Sequence, residues 1–329
     1  MRRTTPAKTP TASAAVSLFS PLEVSITKAK DSRMKTLIRL SRFTLPLIVL
    51  YLSVAAMSAN AATTLRWKLT EGTKLRHTMR QDTTITPEIK GVAVPSGAST
   101  ITAYMVTTWD VGKSSRAVHD VALTIDRLHM ATSSPLGKHK FDSSVGEQAP
   151  AIKNAPIALK LKPTGQFVSA KIAPAMIKAL TADPNSKPFS HALSAKGIQQ
   201  IVEQLVTPLA ANAVNKGDTW KSTHSFDMPG LGKATTVKKF TYAGQTKRGE
   251  QTLEKITFTA TLDFGKSLKK FDGKITEQKA EGVIYFDNVA GRLADYTVKQ
   301  TMTIEVTIGK RTIKQTVVTS ETGKVTLVD

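Results

Sequence analysis

The feature that most constrains the fold is a two-residue alternation of apolar and polar side chains along several long segments. In residues 293–308, Tyr296, Val298 and Met302 share one parity, while threonines and charged residues share the other. Residues 254–264 repeat the pattern, and residues 101–111 follow it less strictly. Because successive side chains of a strand point to opposite faces, each segment has one buried and one solvated face. The pattern predicts long antiparallel strands whose apolar face must be covered.

Turn-forming residues separate these segments, and a helical pattern supplies the cover. Residues 287–291, 309–310 and 112–114 contain Gly with Asp, Asn, Lys or Ser, a composition that predicts hairpin turns. Ser194 is a plausible N-cap for an amphipathic helix that ends before Pro208, and a shorter helix is expected over residues 174–180. The predicted fold is mainly β with a small helical segment (α+β): long antiparallel curved sheets or a half-barrel, covered by one or two helices.

The N-terminal region has the pattern of an export signal. Residues 34–61 combine Lys35, Arg39 and Arg42, an apolar run over residues 45–57, and an Ala59-Asn60-Ala61 cleavage site. Residues 1–33 are interpreted as an unstructured or untranslated leader. Residues 62–329 are expected to form one β-rich domain, or two β lobes (62–162 and 216–329) joined by a helical segment (163–215). The mature protein is therefore expected outside the cytoplasm, periplasmic or extracellular, with no transmembrane segment.

Charge and cysteine content narrow the possible partners. Nine of the 46 Lys and Arg residues and two of the 25 Asp and Glu residues precede Ala62, which leaves 37 basic and 23 acidic residues, a net charge of +14. Outside the cytoplasm such a surface favours anionic lipid or polysaccharide over nucleic acid. Pairs such as Lys238-Lys239 are interpreted as solvated strand positions. Without cysteine, disulfides, thiolate metal sites and acylation at a lipobox are excluded.

No catalytic motif is present, so the candidate residues are those of a binding surface. The sequence lacks the nucleophile elbow, the phosphate-binding loop, the dinucleotide fingerprint and the zinc-protease helix motif. No catalytic residue, metal ligand or cofactor is therefore assigned. Aromatic residues on predicted strands either fill the core or line a ligand cavity. The candidates for ligand binding are Trp67, Trp109, Trp220, Phe258 and Tyr285.

Short motifs carry a resemblance to other exported proteins. Trp67 lies in Leu-Arg-Trp-Lys-Leu, Trp220 ends Gly-Asp-Thr-Trp, and residues 282–287 read Gly-Val-Ile-Tyr-Phe-Asp. These segments resemble an exported bacterial β-rich family of unknown function, which implies export and a β-rich fold. The order of elements is also loosely similar to that of periplasmic lipoprotein-carrier-like half-barrels, which bind acyl chains in an apolar cup.

Three functions follow from these observations. The favoured one is a non-catalytic envelope protein that binds a lipid-like or other apolar ligand between sheet and helices. The alternative is a structural or interaction protein whose basic surface contacts anionic envelope polymers or lipid head groups. A hydrolase with a site assembled from distant residues is the weakest of the three. The sequence leaves the ligand and the oligomeric state open.

The signal peptide gives the first prediction. Mature protein recovered from the host envelope is expected to begin at Ala62, because small residues at 59 and 61 suit the signal peptidase. N-terminal sequencing and intact mass measure this directly, and the Ala61→Arg variant should accumulate as precursor. A mature protein that still carries residues 45–57 would contradict the prediction.

Overall fold

The computed structural model describes residues 62–89, 97–115, 117–135, 137–228, 232–265, 273–308 and 311–328. The predicted leader, the signal peptide and the predicted turn at residues 309–310 lie outside the described residues. Everything below concerns the described part of the chain.

The strands form one antiparallel sheet, which confirms the mainly β prediction. Twelve strands are described in it, and side by side they run β6-β5-β3-β2-β1-β12-β11-β10-β9-β8-β7, with the short β4 paired to β3. The strands are β1 Lys74–Ile89, β2 Ser99–Ser114, β3 His119–Ser134, β4 Gly137–Asp142, β5 Ile157–Leu161, β6 Phe167–Lys171, β7 Thr219–Met228, β8 Gly232–Arg248, β9 Gln251–Asp263, β10 Gly273–Asp287, β11 Arg292–Ile308 and β12 Arg311–Leu327.

The order of the strands places the first and the last side by side in the middle of the sheet. β1 pairs with β2 on one side and with β12 on the other. From β1 the chain proceeds outward to β6 at one edge, and it re-enters at the opposite edge with β7. The connection between the two edges carries most of the helical structure. The helices are α1 Ala149–Lys153, α2 Pro174–Ala182, a 3₁₀ helix Pro184–Phe189 and α3 Ala195–Gln204.

Local predictions are confirmed except at one turn. Ser194 is the N-cap of α3, and its hydroxyl accepts a hydrogen bond from the amide of Gly197 at 3.1 Å. The turn expected at residues 112–114 is wrong, because β2 runs through these residues with a register shift that ends at Ser114. The chain reverses only beyond it, where the Ser115 hydroxyl accepts hydrogen bonds from the amides of Ala117 and Val118. A turn stabilised by a serine hydroxyl in this way does not need glycine.

Contacts of Trp67 show that the sheet is strongly curved. The Trp67 ring lies 6.2 Å from that of Trp109 on β2 and 5.7 Å from that of Phe286 on β10. The last two rings are therefore at most about 12 Å apart, yet in a flat sheet strands four places apart are separated by about 19 Å. The side chains that point to the same face therefore converge on a concave interior, where the helices pack.

Two tryptophans hold the segment that follows α3 inside this concave face. Trp67 donates its indole N–H to the carbonyl of Thr207 at 3.1 Å, and Trp220 donates to the carbonyl of Pro208 at the same distance. Arg66 adds a hydrogen bond to the carbonyl of Ala210 at 2.7 Å. These side chains thereby donate hydrogen bonds to carbonyls of the segment, which lies outside the described strands and helices.

The apolar residues of the concave face form two separate clusters. The larger one combines residues of the strands with residues of α1, α2 and α3, including Met176, Leu180 and Ile198. The smaller one, here called the second cluster, comes from β7, β8, β9 and β11, and the described helices contribute no residue to it. Its buried members are Phe226, Ala234, Leu262, Phe264, Met302 and Ile304.

The central position of Trp67 gives a stability prediction. Trp67 is 2% exposed and joins two distant strands to the segment after α3. Trp67→Ala is expected to lower the free energy of unfolding by about 3–5 kcal/mol, because it leaves a cavity and orphans the Thr207 carbonyl. Urea denaturation measures this. Thr84→Ala, at an exposed position of β1, serves as the control and should change stability by under about 0.5 kcal/mol. Equal effects would contradict the central role of Trp67.

Candidate functional site

The sheet is interrupted along part of the boundary between β9 and β10. These strands pair only from Glu254–Phe286 to Thr259–Glu281, although both continue well beyond that point. β9 remains paired with β8 as far as Asp263, and β10 remains paired with β11 as far as Gly273. Beyond Thr259 and Glu281 the sheet therefore divides into two layers of strands, and we call this division the seam.

A single side chain replaces the missing backbone ladder in the seam. The Gln278 amide accepts a hydrogen bond from the backbone N–H of Leu262 and donates one to its carbonyl, both at 3.0 Å. This amide imitates a backbone partner for one residue of β9. The strands are consequently joined here by two hydrogen bonds through a flexible side chain, which is a weaker connection than a continuous ladder.

The second cluster packs across the seam. On one side lie residues 222–228, 232–238 and 260–264, which we call the flap. On the other side lie residues 273–280 and 300–306, which we call the wall. Phe226, Leu262 and Phe264 of the flap meet Met302 and Ile304 of the wall, and these side chains are 1–5% exposed. Apolar contacts therefore contribute most of the free energy that holds the flap against the wall.

An aromatic ring seated on a glycine marks the point at which the ladder ends. Phe258, 4% exposed, occupies the space that a side chain at residue 282 would need, so Gly282 is required there. The rings of Phe240 and Phe258 lie 5.5 Å apart, and Trp220 stacks on Phe240 at 5.4 Å. The row of rings continues to the edge strand β7. Phe258 thus closes the first, helix-covered cluster at its boundary with the seam.

A half-buried charged pair lies beside Phe258. The ammonium of Lys238 is 4.8 Å from the centre of the Phe258 ring, and it interacts electrostatically with Glu321 of β12. Burial lowers the pKa of Lys238 to about 7 and raises the pKa of Glu321 above its ordinary value. Tyr296 donates its hydroxyl hydrogen to Glu321 at 2.7 Å, and burial raises the pKa of this phenol as well.

Further polar groups surround this pair and separate the two clusters. His224 of β7 lies 3.8 Å from Glu203 of α3, and burial together with Lys238 lowers the pKa of the imidazole to about 2. Thr236 is 1% exposed, and its hydroxyl has no hydrogen-bond partner among the described residues. The polar belt formed by these groups ends the helix-covered half of the concave face.

His77 is a second buried polar side chain, and it lies within the helix-covered half, next to Tyr296. It is 2% exposed, lies between the rings of Trp109 and Tyr296, and neither ring nitrogen has a hydrogen-bond partner within the described part of the chain. Burial lowers its pKa to about 4, so the imidazole is neutral. A buried donor and acceptor without partners cost free energy in a folded protein.

A depression on the outer face lies directly over the closed end of the seam. Its volume is about 590 Å³, and it reaches Phe258 and Gly282 from outside. Lys239 and Lys299 line it together with Glu281 and a group of threonines. The seam is therefore flanked by ammonium groups on both faces of the sheet.

A serine–histidine pair elsewhere has the contacts of a structural link. Ser114 and His119 are register partners at the end of the β2–β3 hairpin, 2.5 Å apart, and the second nitrogen of His119 lies 3.1 Å from the carbonyl of Trp67. The pair ties the hairpin to the buried N-terminal segment. Within the described residues no group of three or more His, Asp and Glu side chains is arranged to hold a metal ion.

The five residues proposed from sequence occupy three different places. Trp67 and Trp109 stack on each other within the helix-covered cluster. Trp220 is half-buried at the edge strand, in the same row of rings as Phe258 at the seam. Tyr285 lies on the outer face, where Arg248 covers its ring at 4.2 Å. Of the five, Phe258 is the residue in contact with the charged pair.

Sequence reasoning missed the charged pair itself. The interpretation of both Lys238 and Lys239 as solvated is wrong for Lys238, which points to the concave face. The signal was present, because Lys238 shares its parity with Phe240 and Tyr242. Glu321 could not have been paired with it, since the two lie on strands that are four places apart in the sheet.

Comparisons with known proteins show only a loose similarity of fold. Among the described residues, no helix combines the length and the apolarity needed to cross a membrane. No protein-family model matches the sequence. No curated protein matches it either.

Solved structures share parts of the architecture at low similarity. A structure of lipovitellin determined for its lipid–protein interactions is 12% identical, with a TM-score of 0.40, over 79% of this chain and 25% of that one. This chain therefore spans about a quarter of the lipovitellin chain. A COG4313 outer membrane channel from Pseudomonas putida F1 is 8% identical, with a TM-score of 0.25, over 79% of this chain and 97% of the channel. At these values the likeness identifies neither a family nor a function.

Proposed function

We propose that this protein is an exported, non-catalytic binding protein for a lipid-like ligand, whose apolar chain lies between the flap and the wall. The observation that carries the proposal is the seam, where the backbone pairing of β9 with β10 stops beside an apolar cluster that the described helices do not enter. Ligand sites in proteins are typically apolar spaces with a few polar groups at fixed positions. The second cluster and the polar belt beside it supply that combination.

Opening the seam requires few bonds to break. The two hydrogen bonds of Gln278 would be lost, and the side chains of the second cluster would separate from one another. The interactions of Lys238 with Glu321 and of His224 with Glu203 would be weakened as well. An inserted chain restores the apolar contacts that are lost. Burial of each methylene contributes about 0.8 kcal/mol, so a chain of about twelve methylenes gains roughly 10 kcal/mol before the cost of association is subtracted.

The signal sequence and the basic surface fit such a role in the cell envelope. A ligand that leaves a membrane must be shielded from water, and the positively charged exterior favours approach to anionic lipid. The alternative function, a structural protein that contacts anionic polymers, uses the same exterior but needs no opening of the seam. An experiment on the seam therefore separates the two functions.

Locking the seam should prevent ligand entry. Thr261→Cys and Lys279→Cys place two thiols on the outer face of the open part, in a chain that has no other cysteine. After reaction with a short bis-maleimide, the mature protein is expected to bind the neutral apolar dye Nile red about tenfold more slowly or not at all, because the flap can no longer move. Stopped-flow fluorescence measures the rate.

A matched pair of thiols controls for the modification. Thr257→Cys and Val283→Cys are register partners in the paired part of the same two strands. Cross-linking there should leave dye binding unchanged. Equal rates in both cross-linked proteins, or no dye binding by the unmodified mature protein, would contradict the proposal, and the second result would favour the polymer-binding alternative.

A further inference from the structure

Lys238 and Glu321 occupy different positions with respect to the seam. Across the sheet, Glu321 lies in the row that contains Val298, Gly282 and Phe258, which belongs to the helix-covered half. Lys238 lies one row farther toward the second cluster, opposite Ala260. A head group attached to a chain in the second cluster would therefore meet Lys238 before it meets Glu321.

The polar belt around the pair is rich in hydrogen-bond donors. Lys238 and Thr236 can both donate a hydrogen bond. Glu321 accepts a hydrogen bond from Tyr296 and interacts electrostatically with Lys238. An incoming acceptor with negative charge thus finds donors, whereas an incoming cation would have to compete with Lys238 for Glu321.

The outer face over the seam also favours anions over cations. Lys239 and Lys299 flank the depression over the closed end of the seam, against the single carboxylate of Glu281. Residues 62–329 carry 37 basic and 23 acidic residues. Anions are attracted to such a surface before any specific contact forms, and the attraction falls as salt is added.

From these placements we infer that the ligand is an anionic amphiphile, whose carboxylate or phosphate head pairs with Lys238 in place of Glu321. This inference rests on the proposed function and specifies the ligand class. The apolar chain occupies the second cluster, and the head lies in the polar belt beside the Phe258 ring. Glu321 holds the ammonium in the unliganded protein, so that Lys238 is not left as an uncompensated half-buried charge.

Exchange of the partner is coupled to a proton. With the ligand bound, two negative groups face one ammonium, and burial has already raised the pKa of Glu321. The pair therefore takes up a proton on binding, and affinity decreases as pH rises. The other titratable groups that face the pair are Tyr296, whose pKa burial raises, and His224, whose pKa burial lowers, with Glu203 beyond it.

Three ligands separate the contribution of the head from that of the chain. Myristate carries a chain and an anion, tetradecanol carries a chain alone, and acetate carries an anion alone. Each is titrated into delipidated mature protein by displacement of Nile red. Myristate is expected to bind about tenfold tighter than tetradecanol, as one charged hydrogen bond would give, and acetate is expected not to bind.

Two substitutions should act in opposite directions. Lys238→Met is expected to weaken myristate binding about tenfold or more and to leave tetradecanol binding within about twofold. Glu321→Gln removes the competing carboxylate, so it should strengthen myristate binding and again leave tetradecanol unchanged. Circular dichroism and urea denaturation establish that each variant is folded before it is titrated.

The outcomes are distinct. If neither myristate nor tetradecanol displaces the dye, the proposed function fails. If both bind equally and Lys238→Met changes neither, the function stands and the anionic head is refuted. A tetradecylammonium ligand that binds tighter than myristate, or a myristate affinity that increases with pH, also overturns the inference. Acetate binding as tight as myristate would reduce the site to one for small anions.

Discussion

The pairing of the first strand with the last determines the rest of this architecture. Because β1 and β12 are neighbours in the middle of the sheet, the chain must reach one edge and then restart at the other. The connection crosses the concave face, and it brings α2, the 3₁₀ helix and α3 into the interior. Two tryptophans, Trp67 and Trp220, fasten its last segment through adjacent carbonyls. The helix-covered half of the concave face is thus a consequence of strand order.

Much of this fold could be predicted from the alternation of side chains and from local capping chemistry. The long strands and the N-cap at Ser194 depend on neighbouring residues, so the sequence states them directly. The turn after Ser114 was misplaced because a bulge at glycine and a turn at glycine have the same composition. The seam could not be predicted, since it depends on which residues of β9 and β10 fail to pair, and Gln278 looks like any polar strand residue.

The charged pair illustrates the same limit for the candidate site. Alternation is compatible with Lys238 on the apolar face, but a lysine next to Lys239 fits a solvated position equally well. Glu321 comes close to Lys238 only because the sheet is curved, and no local sequence pattern encodes that curvature. Replacing a charged pair inside a protein by apolar residues often leaves stability unchanged or raises it, so this pair is weak evidence of a stabilising role. The position of the pair between two apolar clusters suits the polar end of a ligand.

The seam also determines how the sheet would respond to a pulling force. At Thr259 and Glu281 the first intact pair faces the opening, so strand separation would break backbone pairs one after another, as a zipper opens. The aperture would therefore widen in steps of one residue pair, and Phe258 seated on Gly282 would resist the second step. An opening that widens stepwise can adjust its width to ligands of different thickness. The pairs of the six-pair ladder that stay intact keep β9 and β10 in one sheet.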